Sequence, residues 1–568
     1  MNSIILKILA EFLPEIKENN LENILTVPPN ENLWDISIPC FPFAQILVIN
    51  PAQAASNFAK RFDGNKDISA KVMGPYLNLT FSDWYLWWEF QKSELLSPGY
   101  EKNQKVMVEF SSPNTNKPQH LWHVRTNLIW MSLSNILKRD WYDVVRCSLC
   151  NDRWIAICKS MIAYKYLWEG KTPVDVGMKW DHFVGDFYVR YAELGALLGV
   201  ERIEAETTEM LQKWEAWDEE VKKLWRVMND WTLAGWDVTY KKMWCEFDVV
   251  YYESDTYQDG KDIVSEWLKK WVFGKKENWA IFADLSNYSL WEKILQRWDG
   301  TSIYITQDIW TTLRKFKEHS LDKSVWVVAN EQDHHFKCLF AILDMLGYTE
   351  IAKNCYHLSY WYISLPSGRM KSREWTVVDA DWLIEELELM SQEIMKEHDT
   401  EISQEELLRK TDIIAMAALK FFILQYGSSK DFVFDPKASI SFEGKTWPYI
   451  LYSYARIKSI LKKAWVTEEN LSSDISLSFL ASQERLLMKD LLNYPEAIRT
   501  ASKDYEPSIL VKYLYELAQD FNTFYHHLPI MNEEDQTIKN SRLYLIIKVA
   551  EVLKDGLWLL WIDTLERM

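Results

Sequence analysis

Between Lys105 and Ala329, short apolar runs recur among longer stretches with helical spacing. Lys105-Val-Met-Val-Glu-Phe110, Val144-Val-Arg-Cys147, Phe247-Asp-Val-Val-Tyr-Tyr252, Ile303-Tyr-Ile-Thr306 and Val325-Trp-Val-Val-Ala329 predict strands. Strands set among helices predict a parallel sheet with helices on its faces. Upstream, Met1 to Lys17 alternates apolar residues with Lys7, Glu11 and Glu15, which predicts an amphipathic helix rather than a signal peptide. Beyond about residue 380 the strand signals fade. Leu510, Tyr513, Leu514, Leu517, Phe521, Phe524 and Tyr525 follow helical periodicity, as do the segments around 413–425 and 448–463, so the C-terminal third is expected to be a helical bundle. No apolar run reaches the roughly 18 residues that a membrane span needs.

Length and composition narrow this picture. A chain of 568 residues holds three or four domains at about 150 residues each. Its 7 cysteines give no disulfide framework, and Cys147-Ser-Leu-Cys150 lacks a second pair to complete a zinc site, so reduced thiols in a cytosolic protein are expected. A net charge of -18 argues against nucleic-acid binding when taken as a sum, but a sum does not exclude a local basic groove.

The chain has 30 Trp and only 17 Gly. A sugar-binding protein would explain abundant indoles on strand faces or at interfaces. Many of these tryptophans instead stand where glycine belongs. Lys138-Arg-Asp-Trp141, Glu215-Ala-Trp217 and Leu268-Lys-Lys-Trp271 read as helix ends, Glu277-Asn-Trp279-Ala280 as a turn before a strand, and Arg297-Trp298-Asp-Gly300 as a hairpin turn. This pattern predicts a source that reads UGA as glycine, and a sequence translated with UGA as tryptophan.

Two segments carry chemistry. The first is Val108-Glu-Phe-Ser-Ser-Pro-Asn-Thr-Asn-Lys-Pro-Gln-His-Leu-Trp-His123. A strand ends, the chain turns and a helix begins, whose N-terminal amides favour phosphate. His120 and His123, three residues apart, share a helical face and can donate to phosphates. The second is Leu365-Pro-Ser-Gly-Arg-Met-Lys-Ser-Arg-Glu-Trp375, a cationic loop.

Together these segments resemble the two signatures of class I aminoacyl-tRNA synthetases, in the forms found in arginyl-tRNA synthetases. Trp122 occupies the glycine position of the first, and Arg369 replaces the first lysine of the second. Lys179-Trp-Asp-His-Phe-Val-Gly-Asp-Phe-Tyr188 and Ser441-Phe-Glu-Gly-Lys-Thr-Trp-Pro-Tyr449 also resemble stretches of this family. The family pattern has glycine where this chain has Trp34, Trp122, Trp130, Trp141, Trp154, Trp168, Trp180, Trp217, Trp244, Trp267, Trp271, Trp279, Trp298, Trp310, Trp361, Trp375, Trp447 and Trp561, whereas Trp214, Trp225 and Trp231 look genuine.

The resemblance implies an α/β Rossmann-like catalytic domain (106–380), an α+β N-terminal tRNA-contacting domain (1–105), a helical linker region (381–436) and an all-α anticodon-binding bundle (437–568). It implies arginine–tRNA ligase activity on ATP with Mg2+, L-arginine and tRNA(Arg), with tRNA bound before activation, in a cytoplasmic monomer with no metal site of its own. His120, His123, Lys117, Arg369, Lys371 and Arg373 would assist the phosphates, and Trp122 and Met370 would adjoin the nucleotide. Glu109, Asp308 and Tyr304 would face the guanidinium, and Ser111, Asn114 and Gln332 the rest of the amino acid. Tyr449, Tyr452 and Arg456 on one helix, with Asn78 and Met568, would meet tRNA. With tryptophan genuinely at 122, the nucleotide site is filled and a non-catalytic tRNA-binding relative is expected instead.

Overall fold

The computed structural model describes residues 35–97, 102–153, 155–168, 170–256, 266–270, 272–298, 303–364, 366, 378–398, 403–440, 446–467, 471 and 480–565. The amphipathic helix expected at the N-terminus lies outside them, as do Arg369, Met370, Lys371, Arg373 and Met568.

The N-terminal unit is a three-stranded antiparallel sheet of β1 (Ile36–Pro39), β2 (Ile68–Met73) and β3 (Tyr76–Phe81), with β3 central. Helices α1 (Phe41–Leu47) and α2 (Pro51–Ala59) pack with it, and α3 (Asp83–Lys92) follows. Ile38, Leu77 and Leu79 are fully buried beneath α2.

The central sheet has the order β11-β10-β4-β5-β6 and is parallel throughout. Its strands are β4 (Lys105–Glu109), β5 (Asp143–Cys150), β6 (Val249–Tyr252), β10 (Lys323–Ala329) and β11 (Cys355–Tyr360). A small antiparallel sheet of β7 (Gly274–Lys275), β8 (Ile281–Ala283) and β9 (Lys293–Gln296) lies between β6 and β10 in sequence, and β12 (Ile363–Ser364) pairs with β13 (Phe432–Val433). Strand β4 reads as a continuous apolar run because both its faces are covered. Val106 and Val108 enter one core and Met107 the other. After β4 the chain proceeds to β5 on one side, while β10 pairs on the other. The crevice beyond the carboxyl ends of β4 and β10 is therefore a topological switch point, where ligands of such sheets bind.

Helix α4 (Leu121–Arg139) follows β4. Helices α5 (Ile155–Leu167), α6 (Trp180–Leu198), α7 (Val200–Glu215) and α8 (Glu219–Met243) form an insertion between β5 and β6, with their own core around Phe183, Phe187 and Trp214. Then come α9 (Tyr304–His319), α10 (Asp333–Met345), α11 (Ala380–His398) and α12 (Gln404–Leu424). The C-terminal bundle comprises α13 (Trp447–Ala464), α14 (Ser482–Lys503), α15 (Pro507–His527) and α16 (Gln536–Leu559).

One predicted strand is corrected. Ile303-Tyr-Ile-Thr306 opens α9: Ile303 is the extended residue before the helix, and Tyr304 begins it. A four-residue apolar run cannot by itself separate strand from helix. The buried set Ile305, Ile309, Thr312 and Phe316 has helical spacing and decides for helix.

The backbone bears on the tryptophan anomaly. Trp141, Trp217, Trp244, Trp279, Trp465 and Trp561 all have positive φ, from 57° to 71°. Trp244 and Trp465 occupy the left-handed caps of α8 and α13. This conformation crowds any Cβ and favours glycine. Trp465 is absent from the positions inferred by resemblance, and only the fold reveals it. Among the described residues no helix is long and apolar enough to cross a membrane.

Candidate active site

The crevice beyond β4 and β10 holds a cavity of about 230 Å³ lined by Ser111, Ser112, Lys117, His120, Trp122, His123, Thr126, Val327, Val328 and Tyr360. Each wall has a local cause. Ser111 and Ser112, just past β4, take left-handed backbone (φ 65° and 41°) and so turn the chain sharply out of the sheet. Ser111 Oγ lies 2.7 Å from the Tyr240 hydroxyl, which occupies one of its hydrogen-bonding directions. Lys117 is held near the first helix of the signature by Gly185 of α6. A Cβ at Gly185 would come within 2.6 Å of Pro118 Cδ, so only glycine admits that approach. The Trp236 indole donates to the Lys117 carbonyl at 3.1 Å.

The two imidazoles stack, with centroids 4.0 Å apart. The His120 backbone N–H donates to His123 Nδ1 at 3.2 Å. Burial, then the nearby Lys117 ammonium, push His120 down to about 3. Burial, then His120 and Lys117, hold His123 well below its ordinary value. Burial also lowers Lys117. Both imidazoles are therefore neutral near pH 7. Since His123 Nδ1 accepts a bond, its proton sits on Nε2, which leaves an N–H donor.

Trp122 crowds this cavity. Its ring meets His120 edge-on at 5.6 Å and lies 5.5 Å from Tyr362, and its Nε1–H donates to the Ile363 carbonyl at 3.3 Å. The remaining volume falls below the roughly 300–1,000 Å³ of ordinary ligand pockets.

The flanks of the second signature are tied to the first. On one side, Trp122 reaches Ile363, and Arg125 donates to the carbonyls of Trp361, Gly427, Ser428 and Lys430. On the other, the Leu121 N–H donates to the Val378 carbonyl at 3.0 Å, and the Ala380 N–H to the Gln119 carbonyl at 3.0 Å. The cationic stretch itself lies outside the described residues, and Ile363 before it and Val378 after it both bond to the first turn of α4.

A second cluster lies at the ends of β4, α9 and α10. Tyr304, Asp308 and Lys315 share one face of α9. Asp308 Oδ2 is 2.7 Å from His335 Nε2 on α10. Tyr304 is half exposed, and burial followed by the charges of Glu253 and Asp308 raises its phenol to about 12. Glu109 ends β4 with its carboxylate paired to Lys315, and both side chains are buried. A buried carboxylate needs a counter-charge, and Lys315 supplies it to Glu109. Asn114 is half-buried in an isolated bridge with Asn151, and Gln332 is exposed at the entry to α10.

Lys315 and His335 escaped the sequence reading. A lysine seven residues after Asp308, on the buried face of a helix, was the available signal for the first. Nothing in the sequence paired His335 with Asp308.

Comparison with known proteins now bears on this geometry. The family described as "tRNA synthetases class I (R), catalytic domain" matches residues 90–436, "Arginyl tRNA synthetase N terminal domain" matches 1–81, and "DALR anticodon binding domain" matches 450–568. The chain belongs to the arginyl-tRNA synthetases, of class I.

Among relatives of the family, the arginine–tRNA ligase of Parabacteroides distasonis is 41% identical over 559 residues, covering 94% of this chain and 93% of that protein. The arginine–tRNA ligase of Treponema denticola is 39% identical, covering 99% and 98%. In fold, the chain is similar to the arginyl-tRNA synthetase of Thermus thermophilus, with a TM-score of 0.85, 23% identity and full coverage of both chains. The corresponding Plasmodium falciparum enzyme gives 0.79 at 18% identity, covering 99% of this chain and 97% of that one.

The residues suggested for tRNA separate on the synthetase fold. Tyr449, Tyr452 and Arg456 all lie on α13. Tyr452 is exposed, and the Arg456 guanidinium lies 4.5 Å from its ring and 5.0 Å from that of Tyr525, with a bond to Asn522 Oδ1 at 2.8 Å. Tyr449 is half-buried against Tyr515. Asn78 is 3% exposed in the central strand β3, so its amide is not offered to a tRNA in this structure. All 7 cysteines, Cys147 and Cys150 included, are free and buried.

Proposed function

We propose that the chain, as a cytoplasmic monomer, activates L-arginine with Mg-ATP to arginyl-adenylate and passes it to the 3′ terminal adenosine of tRNA(Arg), releasing pyrophosphate and AMP. One observation carries the reading: a cavity with paired neutral imidazoles and Lys117 adjoins β4 and β10, and Ile363 and Val378, which flank the cationic second signature, both bond to that cavity's own helix.

In the first step the arginine carboxylate attacks the α-phosphate in line. His120 and His123 serve as neutral N–H donors to the phosphates, so they stabilise developing charge without first losing a proton. Lys117, Arg369, Lys371 and Arg373 supply cations toward pyrophosphate, Mg2+ arrives with the ATP, and Met370 flanks the nucleotide. Asp308 and Tyr304 receive the guanidinium with Glu109 behind them, while Ser111, Asn114 and Gln332 serve the α-amino and carboxylate end. Tyr452 and Arg456, with Tyr449, stack on unpaired anticodon bases. Met568 belongs to the same tRNA surface. Asn78 is assigned no direct contact, because its side chain is buried.

The native residue at 122 is glycine, and the source reads UGA as glycine. The set of tryptophans in left-handed backbone supports this. The gene should show UGA there and UGG at Trp214, Trp225 and Trp231.

The test is tRNA-dependent ATP–pyrophosphate exchange with arginine, comparing the chain as given with Trp122→Gly. Exchange is expected to rise by about a hundredfold or more on opening the adenine site. No exchange from either would leave the rival reading, a non-catalytic tRNA-binding relative, which the indole in the cavity favours if it is native.

A further inference from the structure

Glu109 and Lys315 form a buried ion pair whose place in the fold is specific. Glu109 is the last residue of β4, at the switch point, and is 6% exposed. Lys315 is 1% exposed on the face of α9 that also carries Tyr304 and Asp308. From Asp308 to Lys315 the helix rises about 10 Å, so the lysine lies behind the acid, toward the sheet. Its ammonium bonds Glu109 Oε2. Among the described residues no bond is found to the other oxygen of that carboxylate. Burial disfavours the ammonium, but Glu109, Cys147 and Asp308 together hold it above its ordinary value. The lysine is therefore charged.

A bare stability role is an inefficient reason for such a pair. A buried ion pair stabilises a fold little compared with an apolar pair of similar volume. The geometry has a clearer consequence. With Lys315 in place, Glu109 is a neutralised and fixed acceptor, and Asp308, bonded to an imidazole, stands at the site with the buried Glu253, the other acid whose charge acts on Tyr304.

We propose, resting on the arginine-site reading above, that Lys315 is a positioning residue for amino-acid selection: it holds Glu109 by one oxygen and leaves the other for the substrate. Its test is arginine binding by equilibrium dialysis with radiolabelled arginine, using citrulline, the neutral isostere, as competitor.

Lys315→Met is expected to weaken arginine about tenfold or more, because the uncompensated Glu109 leaves its position. Lys315→Arg, which keeps charge and donors, should stay within about threefold of the parent. The double variant Lys315→Met with Glu109→Gln should recover part of the loss, since removing both charges is milder than removing one. Citrulline should discriminate less sharply in Lys315→Met, a change in selectivity that general loosening of the fold would not give. Should Lys315→Met fail to fold by circular dichroism, Glu109→Gln is compared with the double variant. The bare ammonium should then make Glu109→Gln the weaker binder, and the opposite order overturns the assignment. A parent that binds arginine while Lys315→Met binds it equally, or a double variant no better than the single, overturns it too. A parent that binds no arginine sinks the arginine-site reading itself.

Discussion

The backbone N–H of His120 donates to Nδ1 of His123 at 3.2 Å, across the first turn of α4. A backbone amide thus fixes the tautomer of the His123 imidazole, and both imidazoles are held neutral by burial beside Lys117. Unfolding exposes them to ordinary pKa values near 6.5. With the folded value of His120 depressed to about 3, the unfolded chain binds more protons between those limits, so stability is lost as pH falls below about 6.5. At pH 5 the loss from His120 is about 2 kcal/mol. Urea unfolding at pH 7 and pH 5 should show that His120→Asn removes this part of the acid sensitivity.

Exposed tryptophans at positive φ carry strain with little packing in return. Trp217 is 71% exposed and Trp465 88% exposed. Trp217→Gly and Trp465→Gly should each stabilise the chain by about 1 kcal/mol by relieving the left-handed Cβ. Trp214 is 1% exposed, with Lys222 Nζ 3.1 Å from its ring, and Trp214→Gly should cost about 3–5 kcal/mol. Denaturant midpoints of the three variants check the contrast. Equal destabilisation by all three would contradict it.

Arg125 is fully buried, and its guanidinium joins α4 to four carbonyls on the 361 and 427–430 segments. Burial lowers it to about 10, against the pull of Tyr360, Glu506 and Asp431, and it stays charged at pH 7. Arg125→Met removes the side-chain donor to the Trp361 and Lys430 carbonyls, while those of Ser428 and Gly427 keep backbone donors, and should cost about 3 kcal/mol. Because Trp361 lies four residues before the cationic signature, pyrophosphate exchange should fall more than the folded fraction does. Activity that tracks folded protein one for one would show that the link is structural only.

On the C-terminal bundle, Arg456 sits between the rings of Tyr452 and Tyr525. Tyr452→Ala should weaken tRNA binding by about 1–3 kcal/mol, the worth of one stacked base, while arginine binding holds. Filter binding of tRNA and dialysis of arginine on the same preparation separate the two. Tyr449→Ala, which removes a ring packed on Tyr515, should lower stability as well as binding.

The sequence by itself determined the family, the two signatures, the parallel sheet and the helical C-terminal third, because these are written in periodicity and in residues adjacent along the chain. It also exposed the tryptophan anomaly, since helix ends and turns are local. The tertiary structure decided what depends on distant segments meeting. Ile303–Thr306 became the start of a helix because burial along α9 outweighed a short apolar run. Glu109 gained Lys315 from 206 residues away, and Asp308 gained His335. Those pairings arise where β4, α9 and α10 converge at the switch point, and charge compensation in a buried site is a property of that convergence rather than of any one stretch of chain.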